Sequence, residues 1–374
     1  MKIGILTLPF NNNYGGYLQA YALMTILKKM GHEPTLILRR HNKINHSILF
    51  HVVYFIKSII RSLYDFKYYP LIFHTENNFF LRGRKMITFF HRYMQPQTSF
   101  IYSTEELRCV CADKFDAYIV GSDQVWRPIY VPSIENFFLD FTKGFSARRI
   151  AYAASFGCLK PEYTDHQKEI CGILISDFDA VSFREKTGLD VISKFKWNVP
   201  NKAVVLDPTM LLSKEEYFSL LPPKKSRAKN KVFCYILDDN NEVNKIINCL
   251  CSVSDKERFD FFNLQMRKNY YSEIPSIEDW LTGIRDAEYI VTDSFHGMVF
   301  SIIFNKPFFI YGNLGRGMDR FNDLLNDLGL ENRMVYNYSD LKCAYEQEIN
   351  WSIVNRKKEE LKKISIEFLN QALS

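Results

Sequence analysis

One histidine, His296, closes the segment Glu288-Tyr-Ile-Val-Thr-Asp-Ser-Phe-His-Gly297. The apolar run Tyr289–Val291 reads as a buried strand, and Met298–Phe304 reads as the helix that follows it. In α/β proteins, helix N-termini and ligands gather at the carboxyl ends of strands. Gly297 would let a backbone approach closely there. An imidazole titrates near neutrality, so it can give or take a proton at such a place. The same position also suits a histidine that merely caps a helix, and the residue alone does not decide between the two.

Five other strand ends carry polar punctuation: Asn13-Tyr-Gly-Gly-Tyr-Leu-Gln19, Gly121-Ser-Asp-Gln-Val-Trp126, Ala154-Ser-Phe-Gly157, Ser182-Phe-Arg-Glu185 and Asp207-Pro-Thr209. Arg184 could grip a carboxylate or phosphate with its planar fork, or pair with Glu185. Asp123 could serve as a general base for a sugar hydroxyl, or as a helix N-cap. Gln124 could hydrogen-bond a sugar. Trp126 could stack on a sugar or fill a core. Asp207 before a proline reads as a turn former. Neither Ser182 nor Ser294 has a base beside it, so serine nucleophilic chemistry has little support.

These residues need a scaffold of alternating strands and helices. Lys2–Leu8, the helix Tyr17–Met30 and Pro34–Leu38 open the chain as a βαβ unit. Its Asn/Gly-rich first turn is not GxGxxG, so a dinucleotide site is poorly supported. Strands follow at Ala117–Val120, Arg149–Ala153, Ala180–Ser182 and Ala203–Leu206. The stretch Leu221–Asn230, with two prolines and a basic run, reads as a linker. A second βα series runs from Val232 to Leu328, and Ile353–Leu373 reads as an amphipathic helix. The fold class is therefore α/β, with two Rossmann-like domains facing a cleft. The first spans residues 1–220 and the second 221–350, and the expectation for the terminal helix over 351–374 is a crossing back onto the first half. Residues 43–95 form an aromatic and basic insertion, with helices over Ile48–Tyr64 and Phe79–Tyr93. It reads either as a helical hairpin packed on the domain or as a surface that touches a membrane or a lipid-linked substrate.

Bulk properties narrow the partners. The net charge of +6 is mild, favouring small anions or anionic headgroups over nucleic acid. Aromatics reach 15% of the chain, enough for large cores and for stacking on sugars. The 8 cysteines include no CxxC pair, so a zinc site is not indicated and the reducing cytoplasm is. No clear metal-ligand cluster is visible. The N-terminus does not read as a signal peptide. No run of about 18 apolar residues exists, so no membrane span is expected.

Taken in order, the motifs resemble the polysaccharide pyruvyl transferase family. The matching pieces are Asn13–Tyr21, Gly121–Trp126, Ala154–Gly157, Ser182–Glu185, Asp207–Leu212 and Thr292–Gly297, with Gly315–Phe321 and Leu324–Leu330 beyond them. The resemblance implies a GT-B-like fold, with the acceptor on the first domain and the donor on the second. It implies transfer from phosphoenolpyruvate to two hydroxyls of a hexose, often galactose, as a cyclic ketal. The acceptor would be a lipid-linked oligosaccharide or growing surface glycan, reached in the cytoplasm at the inner leaflet. No further cofactor is implied. His296 and Asp123 would be catalytic. Arg184, Ser294, Gly297, Arg316 and Arg320 would hold the donor, and Asn13, Gly15, Gln19, Gln124 and Trp126 the acceptor. Some members carry an arginine two residues before the histidine, where this chain has Ser294. The missing charge would come from Lys306, Arg316 or Arg320. Two other readings share the fold: a glycosyltransferase using a nucleotide sugar, and a non-catalytic glycan-binding relative.

Overall fold

The computed structural model describes residues 1–42, 48–64, 82–262, 273–312 and 318–374. Its twelve described strands lie in two parallel sheets. The first contains β1 (Lys2–Leu6), β2 (Glu33–Arg39), β3 (Gln97–Ile101), β4 (Ala117–Asp123), β5 (Arg148–Ala154), β6 (Ala180–Phe183) and β7 (Lys202–Val204), in the order β3-β2-β1-β4-β5-β6-β7. The second contains β8 (Val232–Tyr235), β9 (Arg258–Asp260), β10 (Tyr289–Thr292), β11 (Phe308–Tyr311) and β12 (Met334–Val335), in the order β12-β11-β10-β8-β9. Strand order reverses between β1 and β4 in one sheet and between β8 and β10 in the other. Crevices open at such points, beyond the carboxyl ends of the strands.

Helices on both faces of each sheet make the strands near-continuous apolar runs rather than alternating ones. The segment Ala117–Asp123 is buried throughout. Strand β3, Gln-Thr-Ser-Phe-Ile, has no such run because it forms the sheet edge and is mostly half-buried. It was therefore not legible as a strand. The first helix begins at Tyr14 rather than Tyr17, with Gly15 and Gly16 inside its first turn. The helix after β10 begins at Phe295 because the Ser294 hydroxyl accepts from the Gly297 N–H and caps it. Of the insertion, helices Ile48–Tyr64 and Arg84–Tyr93 are described, and the start of the expected second helix lies outside the described residues. Among the described residues, no helix is long and apolar enough to cross a membrane.

The largest apolar cluster belongs to both halves. It joins Leu18, Leu23 and Leu27 of the first helix to Trp280, Phe300 and Phe233 beyond the linker. Tyr14 is the most direct bridge. Its ring stacks on Trp280 at 5.6 Å and 13°, and its hydroxyl donates to the Pro275 carbonyl at 2.7 Å. The helix Trp351–Leu373 returns to the first sheet. There the Leu206 N–H donates to Ser365 Oγ at 2.9 Å, and Phe368 lies 6.3 Å from Tyr152.

Leu369 is fully buried in this returning helix. Leu369→Ala should cost about 2–5 kcal/mol, the usual range for emptying such a site. Urea unfolding followed by a probe on the first domain should register the loss, although the residue follows the second domain in sequence.

Candidate functional site

Arg184 emerges from the end of β6 into a shell of carboxylates, with its side chain 1% exposed. One terminal nitrogen meets Asp207 Oδ2 at 3.1 Å, and the other meets Asp123 Oδ1 at 3.3 Å. Its Nε lies 3.5 Å from Glu185 Oε2, too poorly aligned for a hydrogen bond. Burial works against the guanidinium charge, but Asp123, Glu185 and Asp207 more than offset it and raise the pKa. Of the sequence alternatives for Arg184, the pair with Glu185 is present, together with two further carboxylates.

Asp207 had read as a turn former, and the structure gives it a larger part. Thr209 donates to Oδ1 from its amide at 3.0 Å and from its hydroxyl at 2.7 Å. This fixes Oδ2 toward Arg184, and His296 Nε2 lies 3.4 Å from that oxygen. Burial alone would raise the Asp207 carboxyl. His296, Arg184 and Thr209 together reverse that and hold it well below the usual carboxylate range. Glu185 goes the other way: burial raises its carboxyl despite Arg184 and a hydrogen bond from Ser155.

His296 enters from the second domain on the first turn of the capped helix. The turn before it is internally satisfied. Thr292 Oγ1 donates to the Tyr235 carbonyl at 2.8 Å, while the two Asp293 oxygens accept from Leu237 and Asp238 amides at 2.7 and 2.8 Å. The imidazole then reaches the first helix. A Cβ on Gly15 would stand 1.9 Å from His296 Nδ1. Gly15 is therefore covered by the imidazole, and this corrects its expected acceptor role. Gly297 packs on Thr292, where a Cβ would meet Oγ1 at 2.4 Å, so its glycine serves the turn's packing.

Phe295 gathers the cations. The Arg184 guanidinium carbon lies 4.5 Å from its ring centroid and that of Arg320 lies 5.6 Å away. Arg320 is half-buried, and among the described residues it forms no hydrogen bond or ion pair and its Nε is enclosed without a partner. Burial, then Arg184, pull its pKa down to about 10, so it remains a cation at neutral pH. Lys306 is placed elsewhere, donating to the Ala287 carbonyl at 2.8 Å. Arg316 lies outside the described residues.

The acceptor candidates divide. Asn13 is exposed at the start of the first helix, and its side chain makes no cap hydrogen bond. Gln124 is half-buried and accepts from Arg127 at 3.4 Å. Gln19 is a correction: it is buried and donates to Thr7 and Gly16 while accepting from the Ser122 amide at 2.9 Å. Trp126 is another. It is fully buried, stacks on Phe138 at 4.9 Å, and donates its indole N–H to the Phe137 carbonyl at 2.8 Å. Both polar groups are consumed inside the scaffold, Gln19 between the ends of β1 and β4 and Trp126 on the turn at Phe137. Sequence reading missed Asp207, Glu185 and Phe295 as site residues. Each sits inside a strand-end motif, but only the fold shows that the motifs converge.

Two parallel-sheet domains with a polar site between them define a GT-B-like protein. The solved structures agree with this fold. UDP-GlcNAc 2-epimerase from Neisseria meningitidis bound to UDP-GlcNAc is similar at a TM-score of 0.52 and 10% identity, over 99% of this chain and 100% of that one. A putative UDP-N-acetylglucosamine 2-epimerase from Listeria monocytogenes gives 0.51 and 10%, over 97% and 91%. Arabidopsis thaliana UGT89C1 complexed with quercetin gives 0.51 and 9%, over 98% of each chain. No curated protein matches the chain. Its sequence matches the polysaccharide pyruvyl transferase model over residues 13–315, and the chain belongs to that family.

Gly15→Ala should force the imidazole aside. The expected result is a loss of about 1–3 kcal/mol in stability, typical of overpacking, with displaced His296 ring resonances in NMR spectra. The Asp207 shift also fixes a pH dependence. A depressed carboxyl contributes fully above its unfolded value, about pH 4, and loses its contribution as pH falls toward the folded value. Asp207→Asn should therefore be destabilised at neutral pH and lose less on acidification below about pH 4 than the parent protein. Urea titrations at stepped pH measure both limbs.

Proposed function

We propose that this protein is a ketal-forming pyruvyl transferase. It moves a pyruvyl group from phosphoenolpyruvate to two hydroxyls of a hexose, galactose in the leading case, within a surface-glycan precursor. The observation that carries this reading is Arg320 Nε, enclosed without a hydrogen-bond partner, beside Arg184 Nε and His296 Nε2, which meet only long carboxylate contacts at 3.5 and 3.4 Å. Leaving such a donor unsatisfied costs about 1–3 kcal/mol, and all three nitrogens belong to the shell around Phe295 and Asp207. A donor substrate bearing both a carboxylate and a phosphate supplies acceptors for them. Arg320 takes the place of the cation that Ser294 does not provide.

The residues divide the work as follows. His296 gives a proton to the methylene carbon of phosphoenolpyruvate, which leaves C2 electrophilic. One sugar hydroxyl oxygen bonds to C2, and its proton passes to Asp123. The second hydroxyl oxygen bonds to C2 as the C2–O bond to phosphate breaks, and its proton leaves with the phosphate. Arg320 and Arg184 hold the donor's negative charge, while Asp207 orients His296. Asn13 and Gln124 are the acceptor contacts in this scheme. No cofactor or metal takes part in the steps as written. The glycan acceptor is lipid-linked, so the protein acts in the cytoplasm at the inner face of the cell membrane.

Purified protein with phosphoenolpyruvate and galactose-containing acceptors should release phosphate and add a pyruvyl mass to the acceptor. His296→Ala should abolish both. Arg320→Gln should raise the KM for phosphoenolpyruvate by about 10- to 100-fold, as expected for a charged hydrogen bond. Thermal protection by nucleotide sugars, with none from phosphoenolpyruvate, would overturn the assignment of the donor.

A further inference from the structure

The helix Ile48–Tyr64 turns its apolar side to solvent. Val52, Val53, Phe55, Ile56, Ile59 and Ile60 are all exposed, Ile56 by 50% and Ile60 by 57%, whereas the polar Ser58 is buried. At about 100° per residue, those six side chains fill an arc of about 160°. Lys57 stands exposed at one margin of the arc, while Tyr54 and Ser58 mark the opposite, inward side. A helix that merely packed on its domain would bury the aliphatic arc and expose the serine.

Charge identifies what covers this face. Residues 34–64 contain no aspartate or glutamate, and the helix itself carries Lys57 and Arg61. Two copies of the chain meeting through this helix would bring like charges together. An anionic bilayer instead accepts the aliphatic arc below its headgroups and pairs with the basic margin. Exposed Arg84 on the next described helix adds to the same sign.

We infer that Ile48–Tyr64 is an in-plane docking helix for an anionic membrane surface. This deepens the reading of a lipid-linked acceptor but is tested without it, because docking needs neither phosphoenolpyruvate nor glycan. The full-length protein would be sedimented with phosphatidylcholine vesicles and with vesicles containing phosphatidylglycerol. It should pellet with the anionic vesicles, less so at high salt, and far less with phosphatidylcholine alone. Ile56→Asp/Ile60→Asp should cut the partition coefficient by about tenfold or more while keeping the parent melting temperature. Lys57→Glu should weaken binding to the anionic vesicles only. Two results would overturn the inference. One is equal sedimentation of the double variant and the parent. The other is a parent dimer, seen by light scattering, that the double variant converts to monomer, which would show that a second copy covers the face. Loss of pyruvyl transfer with vesicle binding intact would count against the enzymatic reading alone.

Discussion

A guanidinium sealed from water is the constraint around which the two halves are arranged. Isolating Arg184 would be costly, and the fold avoids that by bringing Asp123, Glu185 and Asp207 to it from the ends of β4, β6 and β7. Two of the carboxylates are themselves tied down. Thr209 orients Asp207, and Ser155 donates to Glu185. Loss of any one charge would leave its partners uncompensated, so the strand ends hold a single relative arrangement. His296 completes the shell from the other domain.

Closure of the domains follows from the same neighbourhood. The imidazole can stand beside Asp207 only because Gly15 has no side chain to exclude it. One residue earlier, Tyr14 inserts among Trp280, Tyr235 and Phe261 and anchors the first helix in the second domain. On the other side of the cleft, Lys186 pairs with Asp327 at 2.8 Å, and its amide donates to Asp323 at 2.7 Å. Apolar contacts at the first turn of one helix and polar contacts at Lys186 therefore both join the two halves. His296, delivered from the second domain, stands beside Asp207 across that same junction.

The cationic side of the site is built differently from its acidic side. Ser294 is occupied in capping its helix, so position 294 contributes no charge. Arg320 reaches the same aromatic ring from the helix Asp319–Leu328 and carries no compensating carboxylate within ion-pair distance among the described residues. Arg184 is neutralised by its neighbours, whereas Arg320 is not. Under the proposed function, a donor anion would meet one cation already committed to the scaffold and one still uncompensated, with Arg184 organising the site and Arg320 supplying the larger share of the attraction.

The sequence by itself determined the two βα series, the linker between them and the family. Buried parallel strands must be short apolar runs, and their polar terminations fall where ligands collect. His296, Asp123 and Arg184 were legible for that reason. What the sequence did not decide was which polar strand-end groups face the cleft and which serve the scaffold. Gln19 and Trp126 look like sugar contacts until their hydrogen bonds are traced inward, and Asp207 looks like a turn until Arg184 and His296 arrive beside it. Edge strand β3 escaped notice because an edge needs no continuous apolar run. Local pattern reports how much of a segment is buried. Which distant side chain shares that burial is set by the packing of two sheets and the helix between them, and only the tertiary structure decides it.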